Sequence, residues 1–199
     1  MYQSKYQKYK SKYINSKKMS GGNNWPPNYD ALTPMSEIQK IQAEAHKAAY
    51  DLLIEINKTK LQIASAESLT AGLIFSVLVD IPFAGANKYG NFGVYDTDAK
   101  RAMLGVQVKD VYTHLCAKEM AVGVLKNSNA TIAIAVTGNA MPYKGDEEKL
   151  GEVFIGIAGY TSENEISVST KSYNFCKGLS TCKLWNQRPS EENNYSGLH

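Results

Sequence analysis

Two periods of apolar spacing alternate along this chain, one helical and one extended. From Ser36, the positions Ile38, Ile41, Ala45, Ala48, Ala49, Leu52 and Leu53 share one face of a helix that runs to about Ile56. Ser36 with Gln39 has the form of a capping box, and Asn57-Lys58-Thr59 ends the helix. Residues 61–65 read as a short apolar strand, and 70–79 as a helix that Ile81-Pro82 closes. Residues 91–95 read as a strand, 97–104 as one or two helical turns, and Thr113 as the N-cap of a helix to Lys126. TIAIAV at 131–136 is an unbroken apolar run suited to the centre of a sheet. Residues 151–158 and 166–175 add two strands, the second alternating like an edge strand. Helices and strands alternate first and strands accumulate later. That order predicts an α/β fold, a three-layer α/β/α sandwich with a mixed sheet.

The periodicity fails at both ends, which divides the chain into a folded part at 36–176 and flanks at 1–35 and 177–199. In the first flank Tyr2, Tyr6, Tyr9 and Tyr13 lie at helical spacing among lysines. The stretch reads either as a basic amphipathic helix or as a half-ordered tail, since helices this short are marginal alone. It resembles the Lys/Tyr N-terminal tracts of giant-virus proteins. Residues 19–35 form a linker punctuated by Gly-Gly, Asn-Asn and Pro-Pro pairs, and 177–199 form an irregular polar tail.

Charge follows the same division. The net charge is +3, yet residues 1–18 hold six lysines and no acid, so the remainder is mildly acidic. Nucleic-acid binding is therefore expected only through the tail. No apolar run reaches the roughly 20 residues of a membrane-spanning helix. The N-terminus has no apolar signal-peptide core, and a cytoplasmic protein is expected, in a host cell or virion if the source is viral. Cys116, Cys176 and Cys182 form no CxxC pair and read as reduced thiols, and His46, His114 and His199 form no metal-binding motif. No metal and no cofactor are expected.

Three strand-to-helix junctions carry candidate chemistry, because ligands of such sheets bind beyond the carboxyl ends of strands. Ala66-Glu67-Ser68-Leu69-Thr70-Ala71-Gly72 is one, where small residues admit a ligand and a helix N-terminus offers free N–H groups. Ordinary N-cap chemistry describes the same residues. The second is Gly93-Val94-Tyr95 with Lys100 five residues on, where a cation would favour the phenolate of a catalytic tyrosine, or where a strand-end aromatic lies beside a solvated lysine. The third is Val136-Thr137-Gly138-Asn139-Ala140, which exposes a hydroxyl and backbone N–H groups or serves as a plain turn.

Taken together, AESLTAGLI, GVYDTDAKRAMLGV, EMAVGVL, IAVTGNAMP and GEVFIGI occur in an order that resembles the C-terminal domain of the CinA family. That domain reads AES-x-TGG, GxVxYS-xxx-K-xxxLGV, MA, TGIAGP and G-xV-xxA, and the likeness covers about residues 37–175. The resemblance implies a three-layer sandwich and a metal-free amidase that converts nicotinamide mononucleotide to nicotinate mononucleotide and ammonia. It implies Ser68 as the nucleophile, Tyr95 and Lys100 as its assistants and Thr137 as the hydroxyl of the TG turn. Glu67, Thr70, Gly72 and Gly138 are then expected at the substrate, with the phosphate at a helix N-terminus beside Thr70.

The chain also departs from the pattern. The family's PGaS serine is Gly85, the second glycine of TGG is Ala71, and the glycine before the TGIAGP proline is Met141. Its F-x-GDR arginine has no counterpart near Leu179, where Lys177 or Lys183 offers only a point charge. A missing closing helix would expose apolar sheet surface, which a homo-oligomer or the Tyr-striped tail would cover. The alternative to an amidase is an inactive relative serving as a binding or assembly module.

Overall fold

Alanines recur in the two neighbouring parallel strands inside the sheet, and the helices come close to them for that reason. The structure is a computed structural model that describes residues 35–82, 84–140 and 149–176. The Tyr/Lys tail and linker through Pro34, Phe83, the segment with Met141, and the tail with Lys177, Leu179, Cys182, Lys183 and His199 lie outside the described residues. Residues 1–39 and 40–199 are separate compact units.

The chain order is α1 (Met35–Asn57), β1 (Ile63–Glu67), α2 (Leu73–Asp80), a 3-10 turn (Gly85–Asn87), β2 (Lys88–Gly93), α3 (Thr97–Leu104), α4 (His114–Lys126), β3 (Ile132–Gly138), β4 (Glu152–Tyr160) and β5 (Ile166–Asn174). The strands form one mixed sheet ordered β2-β1-β3-β4-β5. β1 lies between β2 and β3 and is parallel to both, whereas β4 and β5 continue antiparallel. The α/β sandwich expected from the alternation of periods is therefore present.

Two apolar cores flank the sheet. On one face α3 and α4 pack on Ala64, Ala66, Ala133 and Ala135 through Leu104, Cys116, Met120 and Val124. Those alanines let α4 approach so closely that a Cβ on Gly156 of β4 would collide with the Ala117 carbonyl. On the other face Ala49, Leu53 and Ile56 of α1 join Leu78 and Ile81 against Ile63. The longer apolar stripe read from the sequence is buried only in that last part of α1, since Ile41 is exposed. Ile157, Tyr173 and Phe175 are also exposed, and the last two rings stack with centroids 6.0 Å apart.

Boundaries differ from the sequence expectation where one residue ties two elements together. β1 runs on to Glu67, because a buried carboxylate there receives donors from the following turn. α2 begins at Leu73 because Ala71 and Gly72 have φ of 52° and 100°, which no α-helix contains. Cys176 is disulfide-bonded, contrary to the expectation of three reduced thiols, while Cys116 is a free, buried thiol. Among the described residues no helix is long and apolar enough to cross a membrane.

Candidate functional site

The parallel register brings three strand exits to one edge. Glu67 at the end of β1 pairs with Gly93 of β2 on one side and Val136 of β3 on the other. The ladder continues one step: Ser68 N–H donates to the Val136 carbonyl at 3.1 Å, and Val94 N–H to the Glu67 carbonyl at 2.9 Å. Beyond these ends lies a cavity of about 150 Å³, lined by Ser68, Leu69, Tyr95, Asp96, Lys100, Gly138, Asn139 and others.

Ser68 and Lys100 form the chemical centre of that cavity. Asp96 caps α3 by accepting from Asp98 N–H, which directs Lys100 in the first turn back toward the sheet. The lysine is 1% exposed, and its Nζ lies 3.0 Å from Ser68 Oγ and 2.7 Å from the Tyr95 carbonyl. Burial lowers its pKa from the usual 10.5, while the nearby Cys116 and Asp96 act in the opposite direction. A lysine whose charge is disfavoured gives up a proton more readily than a solvated one, and its amine lies within hydrogen-bond reach of the serine hydroxyl. Beside them the Leu69 N–H has no acceptor among the described residues. A free N–H beside a serine hydroxyl has the placement that an oxyanion hole would need.

The other expected residues are placed differently. Tyr95 lines the cavity, but its side chain is 70% exposed and its link to Lys100 is the main-chain carbonyl, not the phenol. Thr137 follows Val136 on β3 and shares the α3–α4 face with Ser68 and Lys100; it is fully buried, and its hydroxyl donates to the carbonyl of the cavity residue Val111 at 2.7 Å. The Cys116 thiol beside it is pushed up to about 11 by burial, against the opposing pull of Lys100 and a hydrogen bond with Thr137.

Glu67, Thr70 and Gly72 serve one another. The Glu67 carboxylate, fully buried, accepts from Thr70 Oγ1, the N–H groups of Gly72, Ile74 and Phe75, and Ser65 Oγ. An internal anion thus occupies the start of α2, where a phosphate was expected beside Thr70. Gly138 lines the cavity, and a Cβ there would collide with the Glu152 carbonyl across the β3–β4 pair.

The comparisons with known proteins agree with this fold. A family model described as the CinA C-terminal domain matches residues 39–177. The chain belongs to that family. A CinA-like protein of Chlorobium limicola is 40% identical over 124 residues, covering 58% of this chain and 28% of its own. Another from Fervidobacterium nodosum is 36% identical over 133 residues, covering 64% and 31%. The chain thus spans less than a third of the length of these curated relatives. Among solved structures, the competence/damage inducible protein CihA of Agrobacterium tumefaciens is similar at 31% identity with a TM-score of 0.56, covering 63% of this chain and 79% of its own. The competence damage-inducible protein ComA of Klebsiella pneumoniae shares the fold at 24% identity, with a TM-score of 0.60 over 70% and 86% of the two chains.

Gly85, a departure from the family pattern, lies three residues before β2, at the sheet end opposite the cavity, and a Cβ there would meet nothing within 4 Å. One feature of the site escaped the sequence reading: Asn139 lines the cavity at 3% exposure, and its side-chain Oδ1 has no hydrogen-bond partner among the described residues. The signal was present in IAVTGNAMP, where the family's TGIAGP has isoleucine.

Proposed function

We propose that this CinA-family domain is a serine amidohydrolase that deamidates nicotinamide mononucleotide to nicotinate mononucleotide and ammonia. The observation carrying this reading is the 3.0 Å contact between Ser68 Oγ and a buried Lys100 Nζ. Ser68 Oγ attacks the carboxamide carbon while its proton passes to Lys100, and the Leu69 N–H steadies the oxyanion. The C–N bond then breaks, and Lys100 returns the proton to the departing nitrogen, which leaves as ammonia. Water, deprotonated by the same lysine, attacks the acyl carbon; as its bond to Ser68 Oγ breaks, Lys100 returns the proton to Oγ, which frees the carboxylate and restores the serine. Tyr95 at the mouth offers its ring to the nicotinamide, and Gly138 contributes its backbone to the wall.

A cavity of about 150 Å³ suits the carboxamide end of such a nucleotide. Ligand pockets usually span about 300–1,000 Å³, so the sugar phosphate extends past it. Ammonia release from nicotinamide mononucleotide by the purified chain tests the reading. Ser68→Ala is expected to lower the rate at least about 10³-fold, and full activity in that variant refutes the nucleophile. The second reading, an inactive binding or assembly module, draws on Gly85 and the missing arginine. The distance of Gly85 from the cavity weakens it.

A further inference from the structure

Asn139 stands apart from the other buried polar side chains. Ser65, Glu67, Ser68, Asn87, Lys100 and Thr137 all have a hydrogen-bond partner in the protein. The main chain of Asn139 is also engaged: its N–H donates to the Glu152 carbonyl and its carbonyl accepts from Gly151 N–H, both at 2.8 Å. These bonds fix the residue at the end of β3, yet among the described residues nothing donates to the side-chain Oδ1. Buried acceptors are rarely left unpaired, because they forfeit their hydration without replacement. Isoleucine, the family residue, would fill this wall without that cost.

We propose that the Asn139 side-chain amide is a specificity-determining group that accepts a hydrogen bond from an N–H of the ligand. The assignment rests on the carboxamide reading of the cavity and names what that reading leaves open, namely which group recognises the amide nitrogen. A primary carboxamide brings two N–H donors, whereas the carboxylate product brings none and would set its lone pairs against Oδ1. The site therefore holds substrate and rejects product. Sites built to hydrogen-bond a ligand discriminate strongly against analogues that leave the buried partner unpaired. A trapped water would serve Oδ1 equally in both complexes and predicts no preference.

The test uses Ser68→Ala protein, which binds without turnover, titrated by calorimetry with nicotinamide mononucleotide and with nicotinate mononucleotide. The amide is expected to bind at least about 10-fold tighter than the acid. Adding Asn139→Leu should weaken amide binding about 10- to 100-fold and acid binding less than about 3-fold. In the ligand-free parent, Asn139→Leu should raise the melting temperature by about 2–4 °C, since an unpaired polar group is removed. Equal affinities, no binding of either compound, an amide preference that survives Asn139→Leu, or a lowered melting temperature overturns the assignment. An intact amide preference without ammonia release from the parent defeats the hydrolytic reading and leaves this one standing.

Discussion

Replacing Glu67 by glutamine separates two roles for this residue, ligand of the substrate and internal cap of α2. The carboxylate has five donors: Thr70 Oγ1 at 2.8 Å, Gly72 N–H and Ile74 N–H at 3.0 Å on Oε2, and Phe75 N–H at 2.9 Å and Ser65 Oγ at 3.1 Å on Oε1. Glutamine has the same shape but one acceptor oxygen. Its best placement keeps that oxygen at the Oε2 position and sets its NH2 group where Oε1 was. Ser65 can adapt, because its hydroxyl also reaches Asn91 Oδ1 at 3.0 Å and can accept from the new amide. Phe75 N–H cannot turn. One backbone donor is orphaned against another donor, at a cost of about 1–3 kcal/mol. The three remaining bonds lose their charge-assisted part, about 1 kcal/mol each. Relief from burying a carboxylate, several kcal/mol, offsets that loss.

The net expectation for Glu67→Gln is a destabilisation of about 2–3 kcal/mol. Urea unfolding should show it as a midpoint lower by about 1–2 M with an unchanged slope. Glu67→Ala leaves Gly72, Ile74 and Phe75 N–H all without their acceptor and should cost more. A substrate ligand would instead raise KM and leave the midpoint alone. Glu67→Gln within about 0.5 kcal/mol of the parent would refute the capping argument.

Two further changes test the cavity. Lys100→Met should lower kcat about 10²- to 10⁴-fold and change stability by less than about 1 kcal/mol, because relief from burying the amine offsets the lost hydrogen bonds to Ser68 Oγ and the Tyr95 carbonyl. The sign of the pH effect follows from the lowered lysine pKa. Between that value and 10.5 the folded chain binds fewer protons than the unfolded one, so stability rises with pH across that window. Lys100→Met should flatten the rise, and parental activity should increase with pH through an inflection below 10.5; a rise that persists in the variant assigns it elsewhere. Gly138→Ala should destabilise by about 1–3 kcal/mol, since the new Cβ meets the Glu152 carbonyl and lies 2.9 Å from Val153 Cα, and thermal melting checks it.

Local chemistry was the legible part of this sequence. The span of α3 and the start of α4 follow from side chains next to them: Asp96 accepts from Asp98 N–H and Thr113 from Cys116 N–H. Gly105, at φ 71°, closes α3 in the left-handed conformation that glycine adopts at little cost. Features that depend on folded partners were not legible. The end of β1 was misplaced because Glu67 gains its donors only once α2 packs behind it. Thr137 was grouped with Ser68, and the parallel register does turn both toward the face under α3 and α4, but the bond that occupies its hydroxyl, to the Val111 carbonyl, comes from a loop that no local pattern announces. Lys100 was read against the Tyr95 phenol from a spacing of five residues, whereas the turn into α3 brings its amine to the tyrosine carbonyl and the serine.

The buried polar groups divide in a way that bears on whether this domain is a scaffold or an enzyme. Glu67 and Asn87 serve the fold, the latter donating to the carbonyls of Ile56, Thr59 and Leu61 at 3.3, 3.3 and 2.7 Å. Lys100 and Asn139 weaken it, one as a desolvated amine and the other as an acceptor without a donor. Both of those costs fall on the walls of one cavity. A scaffold gains little from either, since isoleucine would fill the space of Asn139 without an unpaired acceptor and methionine that of Lys100 without a buried amine. An amide hydrolase needs both, one to take a proton from Ser68 and one to hold the nitrogen that leaves. The concentration of unfavourable burial at the ends of β1 and β3 therefore argues for chemistry there.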